Sequence, residues 1–334
     1  MFGSACGYSF SLTTTLMTLE LTSERAVRKP WGKSDLRPWS KLGSDGALIG
    51  ELWFQRVDSA APEPALLLKL LFTDQALSIQ VHPDDAFART MGLPHGKTEA
   101  WYVLSADPGA EVSLGLNHPV TPPQLRAAIV DGTIVDLTHR QVVQAGEAIV
   151  VPAGTIHAIG AGLVIAEIQQ RSDATFRLFD HGRDRELHPD AAVGAAVAGP
   201  APAQAASERL SPARLVVATS PYFVLEQIDL APFSEWEVEA DREVWILMVK
   251  GEVRFDLLHV ACGEAVFIDA QCAKVHVGAS AVRGLMAYVG SEPVSGLLQC
   301  QTGGSHEMTV GRPGERARAR KLAPVPATHH EVHV

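Results

Sequence analysis

Cysteine is scarce in this sequence. The four present, Cys6, Cys262, Cys272 and Cys300, show no CxxC spacing, which argues against a thiolate zinc site; scattered thiols fit a reducing cytoplasm. Positive charge is also short: 28 Lys and Arg stand against 38 Asp and Glu, for a formal net charge of -10. The basic field of a nucleic-acid binder is missing, so nucleic acid is set aside as a partner. No apolar run reaches the ~18 residues of a membrane span, and no membrane partner is expected. The opening residues, Met1 to Leu16, are rich in Ser and Thr but lack the basic start of a signal peptide. Residues 1–20 are expected to form a disordered leader, with Met17 a second candidate for the start of translation, and the location is expected to be cytoplasmic.

What is present reads as an ordinary globular composition, 46% hydrophobic and 20% charged, in a chain of 334 residues that is long enough for two domains. The apolar residues come in short runs bounded by Gly, Pro, Asn and Asp. Ala65 to Phe72, broken only by Lys69, reads as a buried strand; Leu77 to Val81, Glu99 to Leu104, Ala148 to Val151 and Leu163 to Gln170 follow. Thr133 to Leu137 is read as a strand too. A helix is expected at Pro122 to Val130, with Thr121 as N-cap and Gly132 just past its end, and a short one at Asp84 to Met91. Residues 191–212 are rich in Ala and Pro and read as a connection. Strands then resume at Tyr222 to Ile228, Val244 to Val249, Val253 to Leu257, Ala265 to Ile268 and Leu285 to Val289, and residues 301–334 read as a disordered tail. The pattern is that of an all-β protein of sandwiches or barrels. The division is therefore a leader at 1–20, an N-terminal domain at 21–190, a connection at 191–212, a C-terminal domain at 213–300 and a tail at 301–334.

A weak repeat links the two domains. Glu99-Ala100-Trp101-Tyr102-Val103-Leu104 resembles Glu243-Val244-Trp245-Ile246-Leu247-Met248, and Gly146-Glu147-Ala148-Ile149-Val150-Val151 resembles Gly263-Glu264-Ala265-Val266-Phe267-Ile268. The first copy runs on to His157 and the second has no matching His, which puts the chemistry in the first domain.

Two stretches carry that chemistry. In a strand, residues two apart share a face, so Ser78, Gln80 and His82 lie on one side of their segment and Ile79 and Val81 on the other; Lys97, Glu99 and Trp101 likewise share a face. Each His alone is an ordinary core or surface residue. Together, Gln80, His82, Glu99 and His157 form a nitrogen and oxygen donor set for a divalent ion, with Zn, Fe(II) and Mn(II) all compatible.

The spacing Gly146-x5-Pro152-x-Gly154-x-x-His157 resembles the second motif of the cupin superfamily, a jelly-roll barrel with one metal inside. More narrowly, residues 28–183 resemble type I phosphomannose isomerases (mannose-6-phosphate isomerases) in their short bacterial form. The resemblance rests on Lys29-Pro30-Trp31-Gly32, Leu77 to Asp85, Gly96 to Tyr102, Pro152 to Ile159 and Glu167 to Arg177; the C-terminal half matches loosely. It implies an all-β chain of two cupin-like jelly-roll β-barrels with a few short helices, the second degenerate and without metal. It also implies one Zn(2+) per chain, held by Gln80, His82, Glu99 and His157. Lys97, Glu167 and Arg177 fall on catalytic positions of the family, and Ser78 and Arg183 on substrate-binding positions. The implied partner is a small phosphosugar and the implied reaction interconverts mannose 6-phosphate and fructose 6-phosphate through a cis-enediol.

These residue types suit that reaction. A divalent metal with one carboxylate ligand keeps a formal charge of about +1, and Lys97 and Arg177 add to it, giving a positive interior in an acidic protein. Beside a cation the Lys97 pKa is expected to fall, which would let it take part in proton transfer; balancing a carboxylate or binding substrate oxygen is its other reading. Two further classes stay open: an Fe(II) cupin oxygenase, against which Gln80 and the basic set speak, and a non-catalytic sugar-binding protein.

Overall fold

The computed structural model describes residues 18–42 and 46–301. Two pairs of antiparallel sheets account for it. In the first barrel a six-stranded sheet runs in the order Ser23–Lys33, Ile49–Gln55, Leu66–Thr73, Leu163–Gln170, Glu99–Ala106 and Ala148–Val151. It faces a five-stranded sheet in the order Phe176–Phe179, Ile79–Val81, His157–Ile159, Glu111–Leu116 and Thr138–Val142. The second barrel pairs a seven-stranded sheet with a five-stranded one in the same manner, so the expected all-β fold with two jelly-roll barrels is what forms.

The long apolar run at Leu66–Thr73 follows from where that strand lies. Leu66, Leu68, Leu70 and Phe72 pack into a core shared with the second barrel, while Leu71 points into the first. A strand covered on both faces has no solvent side to keep polar. The shared core also takes Phe223, Leu225, Trp245, Leu247, Phe267 and Leu285 from the second barrel, so the two larger sheets are packed face to face.

Four short helices complete the fold: α1 at Asp85–Thr90, α2 at Pro122–Asp131, α3 at Ile134–Leu137 and α4 at Pro189–Ala195. The last three cover the outer face of the small sheet of the first barrel, where Ile79 and Val81 meet Leu125, Ile129, Ile134 and Ala192. This cover is why the odd-numbered residues of Ile79–Val81 are aliphatic and leaves the other face to Gln80. Segment α3 corrects the strand expected at Thr133 to Leu137. Gly132 ends α2 in the left-handed conformation, at φ 83°, and the chain makes one more helical turn that buries Ile134. A run this short, with only Ile134, Val135 and Leu137 apolar, carries no period that separates helix from strand.

Two boundaries differ from the sequence reading. Thr18–Leu21 is a strand, although residues up to 20 were assigned to the leader. It pairs with Ala265–Asp269, with Thr18 opposite Asp269 and Leu21 opposite Val266, and Leu19 and Leu21 pack on the core of the second barrel. A partner 245 positions away leaves no local signal in four residues. The Ala- and Pro-rich connection is bound to the first barrel from Val197 to Gln204, where Val197 donates its N–H to the Gly154 carbonyl, Pro200 bridges Gly115, and the Gln204 amide bonds both polar groups of the Val150 backbone, while Glu208–Ser211 is already an edge strand of the second barrel. The rest of the expected leader, residues 1–17, and the expected tail from residue 302 onward lie outside the described residues.

Candidate metal centre and substrate cavity

The sheet register brings the polar residues together inside the first barrel. On the small sheet Gln80 stands opposite His157 on one side and Arg177 on the other. On the large sheet Glu167 stands between Lys69 and Trp101, and Gln169 opposite Glu99. Glu99 and the two histidines therefore approach one another from facing walls.

The Glu99 carboxylate lies between the imidazoles. One oxygen is 3.4 Å from His82 Nε2 and the other 3.4 Å from His157 Nε2. A potential ligand atom from each of the three residues falls within 4.8 Å of the others, and each residue is only 1% exposed. The orientation of the rings is fixed from behind. His82 Nδ1 sits 2.8 Å from the Ala174 carbonyl and His157 Nδ1 2.9 Å from the Thr155 carbonyl. A carbonyl can only accept, so each Nδ1 carries the proton and each Nε2 turns its lone pair inward. That is the tautomer a metal ligand needs, held by the outer partner typical of such sites. Gln80 brings a fourth polar group: its side-chain amide is 3.3 Å from His157 Nε2, and its Oε1 accepts from Ser78 Oγ at 3.1 Å. Two inward lone pairs around an anion fit a divalent cation.

The charges follow. Burial pushes the His82 pKa down to about 3, with the Lys97 ammonium adding to the effect, and burial lowers His157 as well. Both rings are neutral, the form that coordinates metal. Lys97 Nζ is 2.6 Å from Glu99 Oε2 and 3.0 Å from His82 Nε2. Burial works against its charge, yet Glu99 and then Glu167 outweigh burial and hold it up at about 12. The protein charges nearest Lys97 are carboxylates, and they work against the fall expected beside a metal cation. Burial opposes ionisation of Glu99, and Lys97 overcomes it to hold Glu99 well below the usual carboxylate range. Glu167 is raised by burial and then by Glu99. The Trp101 indole N–H bridges the pair, 3.0 Å from Glu99 Oε1 and 3.2 Å from Glu167 Oε2.

A cavity of about 240 Å³ opens beside these groups, with Ser78, Gln80, Lys97, Glu167 and Arg177 in its wall. Arg177 Nη1 donates to the Glu186 carbonyl at 2.7 Å, but its Nε is buried and finds no protein acceptor among the described residues. Such a donor calls for a partner from a ligand. Arg183 does not join the wall: its guanidinium bonds Asp180 Oδ1 and the Ala76 carbonyl, and Arg185, also bonded to Asp180, lines the cavity instead. Between them and Arg177 the chain turns through His181 and Gly182, both with positive φ, so no strand alternation predicts which arginine points inward.

Sequence reasoning also passed over Lys29, Glu51 and Lys69, which line the same cavity. Lys69 lies 3.5 Å from Glu167 Oε1 and 4.5 Å from the centre of the Trp53 ring; Glu51 is 3.0 Å from Lys29 Nζ. The signal was available, since a lysine inside an apolar run is either a strand edge or a buried functional group, and Lys69 is 3% exposed.

No family model matches the chain. Among curated proteins it is 41% identical over 169 residues to "Mannose-6-phosphate isomerase" of Streptococcus mutans serotype c, covering 48% of this chain and 53% of that one. It is 42% identical over 130 residues to "Mannose-6-phosphate isomerase ManA" of Bacillus subtilis, 37% of this chain and 41% of the relative. These curated homologues are mannose-6-phosphate isomerases. The chain spans about half the length of the curated relatives it matches. Among solved structures, the mannose 6-phosphate isomerase from Bacillus subtilis superposes with a TM-score of 0.68 at 24% identity, over 80% of this chain and 98% of that one. A zinc-bound mannose 6-phosphate isomerase superposes with a TM-score of 0.64 at 17% identity, over 81% and 99%. At those identities the structures establish the shared fold.

Proposed function

We propose that this chain is a zinc-dependent aldose–ketose isomerase that interconverts mannose 6-phosphate and fructose 6-phosphate. The observation that carries the reading is the inward pair of Nε2 atoms on His82 and His157 around Glu99, set beside a cavity rich in lysine and arginine. Zinc held by His82, Glu99, His157 and Gln80 would polarise the sugar oxygens at C1 and C2 and stabilise their negative charge. The chain's own residues do the rest. Lys97, kept protonated by its carboxylate neighbours, donates to the sugar oxygens, and Arg177 offers its unmatched Nε–H to the same region. Glu167, with a raised pKa, is the carboxyl group suited to carry the proton that leaves C2 and returns to C1. Ser78 and Arg185 take the phosphate end, with Arg185 replacing Arg183 in that role. The free thiols of Cys262 and Cys272 support a cytoplasmic location.

A coupled assay from either sugar phosphate, run with metal analysis of the purified chain, tests this. The reading requires interconversion and one zinc per chain. A zinc-loaded protein that turns over neither sugar, or that consumes oxygen with an organic substrate, overturns it.

A further inference from the structure

A hydrogen-bond chain crosses from the second barrel to the segment that carries Lys97. Tyr222, just ahead of the second-barrel strand Phe223–Leu230, donates its hydroxyl to Asp85 Oδ2 at 2.9 Å. Asp85 Oδ1 accepts the Gly96 backbone N–H at 2.7 Å and the Gln170 side-chain N–H at 3.1 Å. Gln170 Oε1 in turn accepts the Thr98 N–H at 2.9 Å, and the Lys97 N–H goes to the Pro83 carbonyl at 2.9 Å. Three consecutive amides, at 96, 97 and 98, are thereby tied to residues 83–85 and to Gln170, ahead of the first ladder position at Glu99. The Lys97 amide lies outside the sheet ladder, and these bonds, with the Gln170 backbone N–H donating to the Thr98 carbonyl at 3.1 Å, hold the segment. Gly96 lies so close to the opposite backbone that a Cβ there would sit 2.6 Å from the Asp84 carbonyl carbon, so the two segments are in direct main-chain contact.

We propose that Tyr222 is a positioning residue for the candidate active site. Through Asp85 it holds the 96–98 segment in place, and with it the Lys97 ammonium against Glu99 and His82. The second barrel, which has no metal-ligand set among its described residues, thus contributes to the geometry of the first. The kinetic consequence rests on the isomerase reading; the structural one does not.

Tyr222→Phe keeps the ring and removes one hydroxyl. In the zinc-loaded full chain, turnover is expected to fall about three- to tenfold with KM changed less than about twofold, as a small displacement of a hydrogen-bond donor to the developing oxyanion requires. Zinc content stays at the wild-type level. Hydrogen exchange at the Gly96 to Glu99 amides is expected to speed up about tenfold while the Phe223–Leu230 amides keep their protection. Asp85→Asn, which keeps the shape but replaces one acceptor oxygen by an N–H donor and leaves the other uncharged, should show the same pattern more strongly. Unchanged exchange at Gly96 to Glu99 in both variants overturns the proposal, as does unchanged turnover in an active enzyme. If the wild-type chain isomerises neither sugar phosphate, the isomerase reading falls and the exchange pattern alone decides the positioning role.

Discussion

Glu99 in the first barrel and Val244 in the second stand at matching places. Val103 receives the Gly146 N–H and donates to the Glu147 carbonyl; Met248 does the same with Gly263 and Glu264. Counting back, Glu99 pairs with Val151 as Val244 pairs with Ile268. The glutamate that looks equivalent in sequence, Glu243, is one residue out of phase and faces the junction between barrels, where its carboxylate accepts the Ala65 and Leu66 backbone N–H groups at 2.6 and 2.9 Å. A slip of one residue sends a strand side chain to the opposite face. Both glutamates still accept the indole N–H of the Trp two residues on, which explains why the two segments look alike.

The second barrel does bury a charged group, and it closes on itself. Arg214 bonds both oxygens of Glu226 at 2.8 Å and donates two further bonds to the Ser295 and Val294 carbonyls, while Tyr288 donates to Glu226. In the first barrel the histidine lone pairs face a carboxylate and Arg177 Nε has no acceptor among the described residues. A saturated buried cluster holds a fold together; an unsaturated one is built to bind.

The sharpest break between the barrels comes from His82→Ala or Glu99→Ala. Either is expected to remove bound zinc and lower isomerase turnover by at least about a thousandfold, read by metal analysis and the coupled assay. Next, Arg177→Ala should keep its zinc and lose about 10²–10³ in turnover; loss of zinc would mark a structural role instead. On the other side of the comparison, Glu226→Ala strands the buried Arg214 and should cost about 3–5 kcal/mol in denaturant unfolding with zinc content unchanged. Glu243→Ala leaves two backbone donors without their acceptor, so about 1–3 kcal/mol of stability should go and the metal should stay. The smallest effect separates two arginines: Arg185→Ala should raise KM for the sugar phosphate by about tenfold, and Arg183→Ala should raise it less.

The gathering of His82, Glu99 and His157, with Gln80 beside them, was legible because strand alternation and a turn motif fix which way those segments face. Long-range and turn-dependent features were not. The pairing of Thr18–Leu21 with the second barrel, the choice of Arg185 over Arg183 beyond a positive-φ turn, and the phase of Glu243 each depend on a partner or a bend that no local pattern encodes. The carboxylates around Lys97 were only partly legible for a related reason: Glu167 is 70 residues away.

Anomalous diffraction at the zinc edge from crystals of the active enzyme tests the central claim most directly. The account predicts one strong peak within coordination distance of His82 Nε2, His157 Nε2 and the Glu99 carboxylate. A fully active protein with no peak there, or with its zinc elsewhere, would contradict it.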